Sequence, residues 1–342
     1  MGGNFATPSN KKYVSKEEKM KKIAVSFMSI FVLAGLTACG SNNTGTTDST
    51  GTAQTQVEES TQTPTEVEIT DSNGTVTVPY APEKVVVFDN SALDTMDALG
   101  LGDRIVAAAT SNLPDYLSAY ADVESAGGIK EPDLEKINQL QPDLIIISGR
   151  QRDFQEELSA IAPTVFLSVD NSDTWASIEA NITTIGQIFG KEEEAQEQLA
   201  SLQGQIDTLK EQAQNADEKA LVVMVNEGNL SAFGPGSRYS ILYDTFGFPA
   251  VDEELEASTH GQSISYEYLL EKNPDVIFVI DRTKAIGGNE SESEFVANEI
   301  VQETNAGQND QVIELDAAVW YLAGSGLESI QLMMDDVKPA VE

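Results

Sequence analysis

The sequence contains Gln141-Pro-Asp-Leu-Ile-Ile-Ile-Ser-Gly-Arg150 and, 132 residues later, Asn273-Pro-Asp-Val-Ile-Phe-Val-Ile-Asp-Arg282. In both segments a Pro-Asp turn leads into a run of mostly β-branched apolar residues, which is typical of a buried strand. An arginine ends each segment, and Glu135 and Glu267 precede the two turns at the same offset. The repeat predicts one unit of helix, turn, strand and arginine that is used once in each of two similar lobes.

Short apolar runs surround each repeat unit and alternate with amphipathic stretches. The predicted strands lie at 85–88, 105–108, 144–148, 165–169, 221–225, 231–233, 276–280 and 312–315. A hairpin is predicted before them, because 67–70 and 75–78 flank the turn sequence Ser72-Asn73-Gly74. The alternation of strands and helices predicts two Rossmann-like α/β lobes with largely parallel sheets.

The segment 172–216 contains no proline, and its apolar residues recur at helical spacing. We therefore expect one long α-helix, bent near Gly190, that joins an N-terminal lobe at 66–171 to a C-terminal lobe at 217–342. Ligands of open α/β sheets bind outside the carboxyl ends of the strands. This architecture predicts a ligand cleft between the lobes, close to the arginines that end the two repeat units.

The amino terminus resembles the signal of a bacterial lipoprotein. Lys19, Lys21 and Lys22 precede the apolar run 23–36, which is shorter than the roughly 20 residues of a membrane-spanning helix. The run leads into Leu-Thr-Ala-Cys39, and Cys39 is the sole cysteine of the chain. We expect cleavage before this cysteine and attachment of a lipid to it.

Two further segments follow from this assignment. Within the signal segment 1–38, residues 1–19 form an upstream extension if Met20 is the true start. Residues 39–65 are rich in Ser, Thr, Gly, Asn and Gln, which predicts a flexible linker behind the lipidated Cys39. The expected location is the outer face of the cytoplasmic membrane, with the lipid as the only membrane contact.

Acidic residues outnumber basic ones 56 to 20, which gives a formal net charge of −36. This charge argues against nucleic acid and anionic membrane surfaces as partners, because both attract clustered Lys and Arg. An anion site in such a chain must be built from a few local cations. Arg150, Arg238 and Arg282 each follow a strand or a glycine turn, and a guanidinium keeps its charge and donates several hydrogen bonds. The alternative is that each arginine pairs with a neighbouring acid such as Asp153 or Asp281.

The segment Phe233-Gly-Pro-Gly-Ser-Arg-Tyr239 follows a predicted strand and is expected to open a helix. Its glycines allow a ligand to approach the backbone, and the amino terminus of the helix would add partial positive charge beside Arg238. The spacing matches neither a dinucleotide-binding sequence nor a P-loop.

His260 precedes a predicted helix that begins near Ser265, and Trp320-Tyr321 follows the last predicted strand. A solitary histidine and an aromatic pair are usually structural. An imidazole and a phenolate nevertheless suit a hard ferric ion when they lie at the edge of a cleft. Both interpretations remain open at this point.

Five separated motifs resemble those of periplasmic or lipid-anchored receptors for ferric catecholate siderophores such as petrobactin and enterobactin. These receptors are class III substrate-binding proteins of ABC iron importers. The motifs are Ile147-Ser-Gly-Arg-Gln151, Gly234-Pro-Gly-Ser-Arg238, Thr259-His-Gly261, Ile280-Asp-Arg282 and Trp320-Tyr-Leu322. The resemblance runs from residue 67 to the carboxyl terminus, and it implies two α/β lobes, one joining helix and a shallow cleft that closes little.

The resemblance also implies how the anion is held. Arg150, Arg238 and Arg282 would bind the trianionic iron complex by charge-assisted hydrogen bonds. Tyr239 and Trp320 are expected to contact the siderophore beside them, because aromatic and catechol faces can stack on a guanidinium.

Metal coordination and delivery follow from the same resemblance. His260 and Tyr321 would complete the coordination of Fe(III) when the siderophore supplies only two catechols. Glu135 and Glu267 would contact the permease, one on each lobe. Arg152, close behind the first motif arginine, either enlarges the cationic patch or faces solvent.

The expected function is therefore a non-enzymatic receptor that binds a ferric catecholate and passes it to an ABC transporter permease. We expect no intrinsic cofactor and a monomeric protein. A receptor for another chelate, such as a hydroxamate, haem or a corrinoid, is the alternative, although a neutral hydroxamate would not need three arginines. A secreted hydrolase is disfavoured because Gly-x-Ser-x-Gly is absent and the chain has one histidine. A single histidine also disfavours a zinc or manganese receptor.

Overall fold

The computed structural model describes residues 64–288 and 292–342, which belong to one compact unit. The predicted signal segment, the lipid site at Cys39 and all of the linker except Pro64 and Thr65 lie outside the described residues.

The described residues form two lobes of strands and helices. The strands are β1 (Glu66–Asp71), β2 (Gly74–Pro79), β3 (Val85–Val87), β4 (Ile105–Ala108), β5 (Glu124–Ser125), β6 (Gly127–Gly128), β7 (Glu131–Pro132), β8 (Leu144–Ile147), β9 (Thr164–Phe166), β10 (Ala220–Asn226), β11 (Asn229–Phe233), β12 (Gln262–Ile264), β13 (Val276–Asp281) and β14 (Val312–Glu314). The α-helices are α1 (Asn90–Ala98), α2 (Leu134–Leu140), α3 (Gln155–Ser159), α4 (Thr174–Phe189), α5 (Glu192–Ala216), α6 (Tyr266–Lys272), α7 (Arg282–Ala285), α8 (Glu292–Val296), α9 (Glu299–Gln302), α10 (Asn305–Gln308), α11 (Ala317–Leu322) and α12 (Leu327–Val337). Short 3-10 helices cover Gly102–Arg104, Asp115–Tyr120, Gly149–Phe154 and Lys338–Ala340, and a π-helix covers Ile241–Thr245.

The N-terminal lobe contains a five-stranded sheet in the order β5-β4-β3-β8-β9, and every neighbouring pair is parallel. Alternate residues of β8 pack on opposite faces, because Leu144 and Ile146 join one apolar cluster while Ile145 and Ile147 join another. This two-sided burial explains the continuous apolar run of the strand. The predicted hairpin is also confirmed, since β1 and β2 pair antiparallel.

The C-terminal lobe contains a second five-stranded sheet in the order β12-β11-β10-β13-β14. Strands β10, β13 and β14 are parallel, whereas β11 and β12 are added antiparallel. No strand is predicted at β12, whose three residues include two polar ones, and in the structure none of the three is fully buried. The α/β prediction is confirmed, with a mixed rather than a largely parallel second sheet.

The predicted repeat is present in three dimensions. Helices α2 and α6 both end in a residue with left-handed backbone, Gln141 (φ 49°) and Asn273 (φ 47°). In the turns that follow, the backbone N–H of Asp143 donates to Lys84 O and that of Asp275 donates to Lys219 O, each at 2.8 Å. These turns lead directly into β8 and β13, so the two units hold their terminal arginines in equivalent positions.

The prediction of one long joining helix is wrong, because the segment forms two helices, α4 and α5. They are separated at Gly190, which has left-handed backbone (φ 65°). The hydroxyl of Tyr80 lies so close to Gly190 that a Cβ atom there would approach it to 2.1 Å. Glycine therefore meets both the backbone and the space requirement at the break.

One apolar cluster extends through both lobes beneath the joining helices. It includes Leu93 of α1, Ile182 of α4, Leu202 of α5, Phe278 of β13 and Met333 of α12. The carboxyl-terminal helix α12 thus packs against elements of the N-terminal lobe, and the lobes share a core.

A buried carboxylate fixes α12 to α1. Asp94 is 1% exposed, and its two oxygens accept hydrogen bonds from the backbone N–H groups of Glu328 and Ser329, both at 2.8 Å. Tyr116 donates a third bond at 3.2 Å. Burial raises the pKa of Asp94 to about 6, although these hydrogen bonds act in the opposite direction. A carboxylate at the amino terminus of a helix is favourably placed, so this contact ties the two lobes together.

Candidate ligand-binding site

A cavity of about 560 Å³ lies between the lobes, at the carboxyl ends of β8 and β13. Arg150 reaches it from the 3-10 helix that follows β8, Arg238 from the turn after β11, and Arg282 from the first turn of α7. His260 and Tyr321 also line the cavity. The structure therefore brings together the three arginines and both candidate iron ligands.

Tyr321 lies at the centre of the arginine cluster. Its main-chain carbonyl accepts hydrogen bonds from Nη2 of Arg150 (2.7 Å) and Nη2 of Arg238 (2.5 Å), and its hydroxyl accepts one from Nε of Arg282 (2.9 Å). The three guanidinium carbons lie 5.8, 4.5 and 5.5 Å from the centroid of the phenol ring, in the same order. One residue thus gathers cations from both lobes through its backbone, its ring and its hydroxyl.

The arginines change the acidity of this phenol. Burial raises the pKa of Tyr321, but the hydrogen bond from Arg282 and the charges of Arg282, Arg238 and Arg150 outweigh it and lower the pKa below its ordinary value. The Tyr321 phenol therefore loses its proton at a lower pH than the phenol of an exposed tyrosine does.

The alternative that each arginine pairs with a neighbouring acid is not seen. Within residues 64–288 and 292–342, none of the three arginines belongs to an ion pair. Asp281 instead caps α7 by accepting a hydrogen bond from Lys284 N at 3.0 Å. Burial and the charge of Arg238 lower the pKa of Arg150, with Asp89 acting in the opposite direction. The three arginines therefore form a cluster of positive charge that carboxylates of the protein neutralise only to a small extent.

The cavity wall includes charged residues that sequence reasoning missed or left open. Arg152 lines the wall, with its guanidinium carbon 4.8 Å from the centroid of the Phe166 ring, so it enlarges the cationic patch. Lys130 adds a fifth cation, and Asp89 is the one carboxylate of the lining. Nothing in the sequence near Lys130 marks it, because its loop reaches the cavity only through tertiary packing.

Tyr239 and Trp320 require a correction. Both are 2% exposed, and neither lines the main cavity. Trp320 points its indole N–H at Asp336 Oδ2, at 2.9 Å, and Tyr239 packs edge-on against Phe233. We therefore no longer expect direct siderophore contacts from these rings, which form the layer beneath the arginines.

The glycine turn also differs from expectation. Two turns separated by a bend at Ser237 cover residues 235–240 and lead into the π-helix Ile241–Thr245, and no α-helix begins at Arg238. The positive charge at this point therefore comes from the Arg238 side chain and not from a helix dipole.

His260 is exposed in the loop before β12, at the rim of the cavity. Its backbone N–H donates to Ser258 Oγ at 3.2 Å. The next residue, Gly261, has left-handed backbone (φ 73°) and lies against the Phe233 ring, where a Cβ would approach to 2.7 Å. In the described part of the chain, no group of three or more His, Cys, Asp or Glu side chains is arranged to hold a metal ion.

Glu135 and Glu267 occupy equivalent surface positions. Each is exposed in the first turn of its helix, one residue after the start of α2 and α6 respectively. They lie outside the main cavity, and their predicted role at a permease stays a prediction. No helix among the described residues has both the length and the apolar character needed to cross a membrane.

The chain is similar to known proteins in sequence and in structure. The family described as Periplasmic binding protein matches residues 85–319. Petrobactin-binding protein YclQ of Bacillus subtilis (strain 168) is 44% identical over 325 residues, which cover 94% of this chain and 100% of that protein. Its crystal structure aligns with a TM-score of 0.80 over 81% of this chain and 99% of that chain.

Two further crystal structures are similar. The iron uptake ABC transporter substrate-binding protein PiuA from Streptococcus pneumoniae Canada MDR_19A is 42% identical, with a TM-score of 0.78 over 82% of this chain and 100% of that one. The periplasmic catecholate-siderophore binding protein VctP from Vibrio cholerae is 33% identical, with a TM-score of 0.76 over 80% and 99%. On the family match and the full-length similarity to YclQ, the chain belongs to the periplasmic binding protein family.

Proposed function

We propose that this protein captures a ferric catecholate siderophore outside the cytoplasmic membrane and delivers it to the permease of an ABC importer. The observation that carries the proposal is the convergence of Arg150, Arg238 and Arg282 on Tyr321 in a protein whose net charge is −36. A site this cationic in so acidic a chain is suited to a compact, highly charged anion.

The resting hydrogen bonds of the arginines support this ligand class. The three guanidinium groups donate to a carbonyl, a phenol and an amide oxygen, the last being Asn226 Oδ1 at 2.8 Å from Nη1 of Arg282. Deprotonated catechol oxygens are stronger acceptors than these neutral groups, and a hydrogen bond to a charged group contributes about 1.5–3 kcal/mol. Exchange of neutral for anionic acceptors supplies the binding energy.

Two residues complete the proposed iron site. When the chelator supplies only two catechols, the Tyr321 phenolate and the His260 imidazole occupy the remaining positions on Fe(III). The lowered pKa of Tyr321 supports this role, because the phenolate is the ligating form. The iron belongs to the cargo, and the protein needs no cofactor of its own.

The space around the arginines accommodates more than the iron centre. A second cavity of about 460 Å³ adjoins the first, and Arg152, Ser168, Val169 and Asn181 line both. It continues towards the β1–β2 hairpin, so the backbone of a large chelator has room beyond the three arginines.

The relatives support the same ligand class. YclQ is named for petrobactin, VctP for catecholate siderophores, and PiuA for iron uptake through an ABC transporter. We further propose that Cys39 carries the lipid anchor on the outer face of the membrane, and that Glu135 and Glu267 contact the permease. The protein acts as a monomer without catalytic activity.

A competition between chelate classes tests the ligand assignment. Purified protein is titrated with a ferric tris-catecholate of charge near −3 and with a neutral ferric hydroxamate, while tryptophan fluorescence is recorded. We expect saturable quenching by the catecholate alone. Equal affinity for the two complexes would refute the catecholate assignment, and binding of the hydroxamate alone would favour a receptor for that class.

A further inference from the structure

A small inner chamber lies beneath the arginine cluster. Its volume is about 120 Å³, and its wall includes Asn171, Thr174, Arg238, Tyr239, Trp320 and Ser325. Asn171, Arg238 and Ser325 also line the main cavity, so the chamber adjoins the proposed siderophore site. Water in the liquid occupies about 30 Å³ per molecule, so the chamber has room for a small ion or a few waters.

The hydroxyl of Tyr239 is the first reason to expect an occupant. Tyr239 is 2% exposed, and its hydroxyl has no hydrogen-bond partner among the described residues. A buried hydroxyl without a partner is costly, and such groups are nearly always satisfied. Burial also raises the pKa of Tyr239, which keeps the hydroxyl protonated and able to donate. No polar group of the described residues forms a hydrogen bond with this donor.

The charge of the wall is the second reason. Arg238 is its one charged residue, and no carboxylate lines the chamber. Arg150 and Arg282 meet Arg238 at Tyr321, and none of the three belongs to an ion pair in the part of the chain that the structure describes. Half-buried guanidinium groups that repel one another are stabilised by a nearby anion more than by neutral water.

We propose that the inner chamber binds a small monovalent anion of the halide class between the Arg238 guanidinium and the Tyr239 hydroxyl. This anion is the counter-ion of the arginine cluster in the ligand-free protein. Because the siderophore and the anion both accept hydrogen bonds from Arg238, halide binding weakens chelate binding. The inference about the anion rests on the arginines and Tyr239, and it holds whichever anionic chelate the main cavity accepts.

Trp320 makes the chamber directly observable. The chain has two tryptophans, and Trp320 lines the chamber at 2% exposure, whereas Trp175 lies elsewhere, in α4. In a Trp175→Phe background the remaining emission therefore reports on the chamber, and iodide quenches a nearby indole by its heavy-atom effect. We expect iodide quenching that saturates, and we expect the neutral quencher acrylamide to have little effect on this buried ring.

A matched pair of variants tests the site. Tyr239→Phe removes a hydroxyl that has no protein partner and keeps the ring that packs on Phe233, so the fold should be retained. The iodide concentration for half-saturation should rise about tenfold in Tyr239→Phe, because one donor to the anion is lost. Tyr266→Phe, which alters a tyrosine outside the chamber, should leave it unchanged.

Two outcomes would overturn the proposal. Iodide quenching that is linear and identical in Tyr239→Phe and its parent would mean that the chamber holds water alone. Crystals of the ligand-free protein soaked in bromide should also show an anomalous peak within hydrogen-bond distance of Tyr239 Oη, and an empty chamber there would refute the site. Neither experiment uses a siderophore, so failure of the anion site and failure of the proposed function are distinguishable.

Discussion

Replacement of Arg282 is the sharpest test of the three-arginine site. In the resting protein Arg282 donates to the hydroxyl of Tyr321 at 2.9 Å and to the side chain of Asn226 at 2.8 Å. Both acceptors are neutral, so the gain on binding an anionic chelate is the difference between a charged and a neutral acceptor. A hydrogen bond to a charged group contributes about 1.5–3 kcal/mol and a neutral one about 0.5–1.5 kcal/mol, so this difference is about 1–1.5 kcal/mol. We therefore expect Arg282→Ala to raise the Kd for a ferric tris-catecholate about tenfold.

A substitution series separates charge from geometry. Arg282→Lys keeps the charge but loses the planar fork, and its Kd should lie between those of wild type and Arg282→Ala. Arg104→Ala is the matched control, because Arg104 is 40% exposed and makes a 3.8 Å ion pair with Glu83 away from the cavity. Such a pair contributes about 1 kcal/mol or less to stability, and its loss should not change the Kd.

The assay is a fluorescence titration at fixed pH and salt, with thermal unfolding measured for each variant. A Kd for Arg282→Ala within about twofold of wild type, in a protein that unfolds at the same temperature, would contradict the reasoning. An equal loss of affinity in Arg104→Ala would do so as well, because the effect would then reflect net charge alone.

Three further predictions follow from other parts of the structure. Asp94→Asn places an amide donor against the N–H groups at the start of α12. It should lower the free energy of unfolding, measured in urea, by about 1–3 kcal/mol. An unchanged urea midpoint would contradict the role of Asp94 in joining the lobes. Because the pKa of Asp94 rises from 3.8 to about 6 on folding, this carboxyl makes the unfolding free energy fall as pH rises through that window, and the variant should lose that slope. Tyr321→Phe should abolish the shift of the charge-transfer band that wild type produces with a bis-catechol iron complex, and a retained shift would exclude Tyr321 as a ligand. The double variant Glu135→Ala and Glu267→Ala should bind siderophore normally but fail to stimulate ATP hydrolysis by the reconstituted transporter, and full stimulation would refute the docking assignment.

The positions of the arginines could be predicted because they follow from topology. A Pro-Asp turn, a buried parallel strand and a residue just beyond its carboxyl end place Arg150 and Arg282 at the same edge of two related sheets. The repeat at an offset of 132 residues made this visible in the sequence. The order of turn, strand and arginine is a property of the backbone. The positions of Arg150 and Arg282 could therefore be predicted without knowing how the side chains pack.

The aromatic residues could not be assigned in the same way. Trp320 and Tyr321 are neighbours on α11, yet the first is buried against Asp336 and the second stands among the arginines. Adjacent positions on a helix point about 100° apart, and the sequence alone does not say which one faces the cavity. Lys130 was missed for a related reason, since its loop reaches the site only through tertiary packing. A bend was expected near Gly190, but the structure ends one helix there and begins another, beside the Tyr80 hydroxyl, which is distant in sequence.

The bridge from the Tyr321 carbonyl to Arg150 and Arg238 has a consequence for how such sites diversify. A main-chain oxygen is present whatever residue occupies position 321, so both arginines keep their anchor if the side chain changes. Exchange of the phenol would therefore leave the backbone contacts of Arg150 and Arg238 in place, whereas Arg282 would lose its bond to the hydroxyl and keep the one to Asn226. A substitution at position 321 would thus change the candidate metal ligand while two of the three arginines keep their main-chain acceptor.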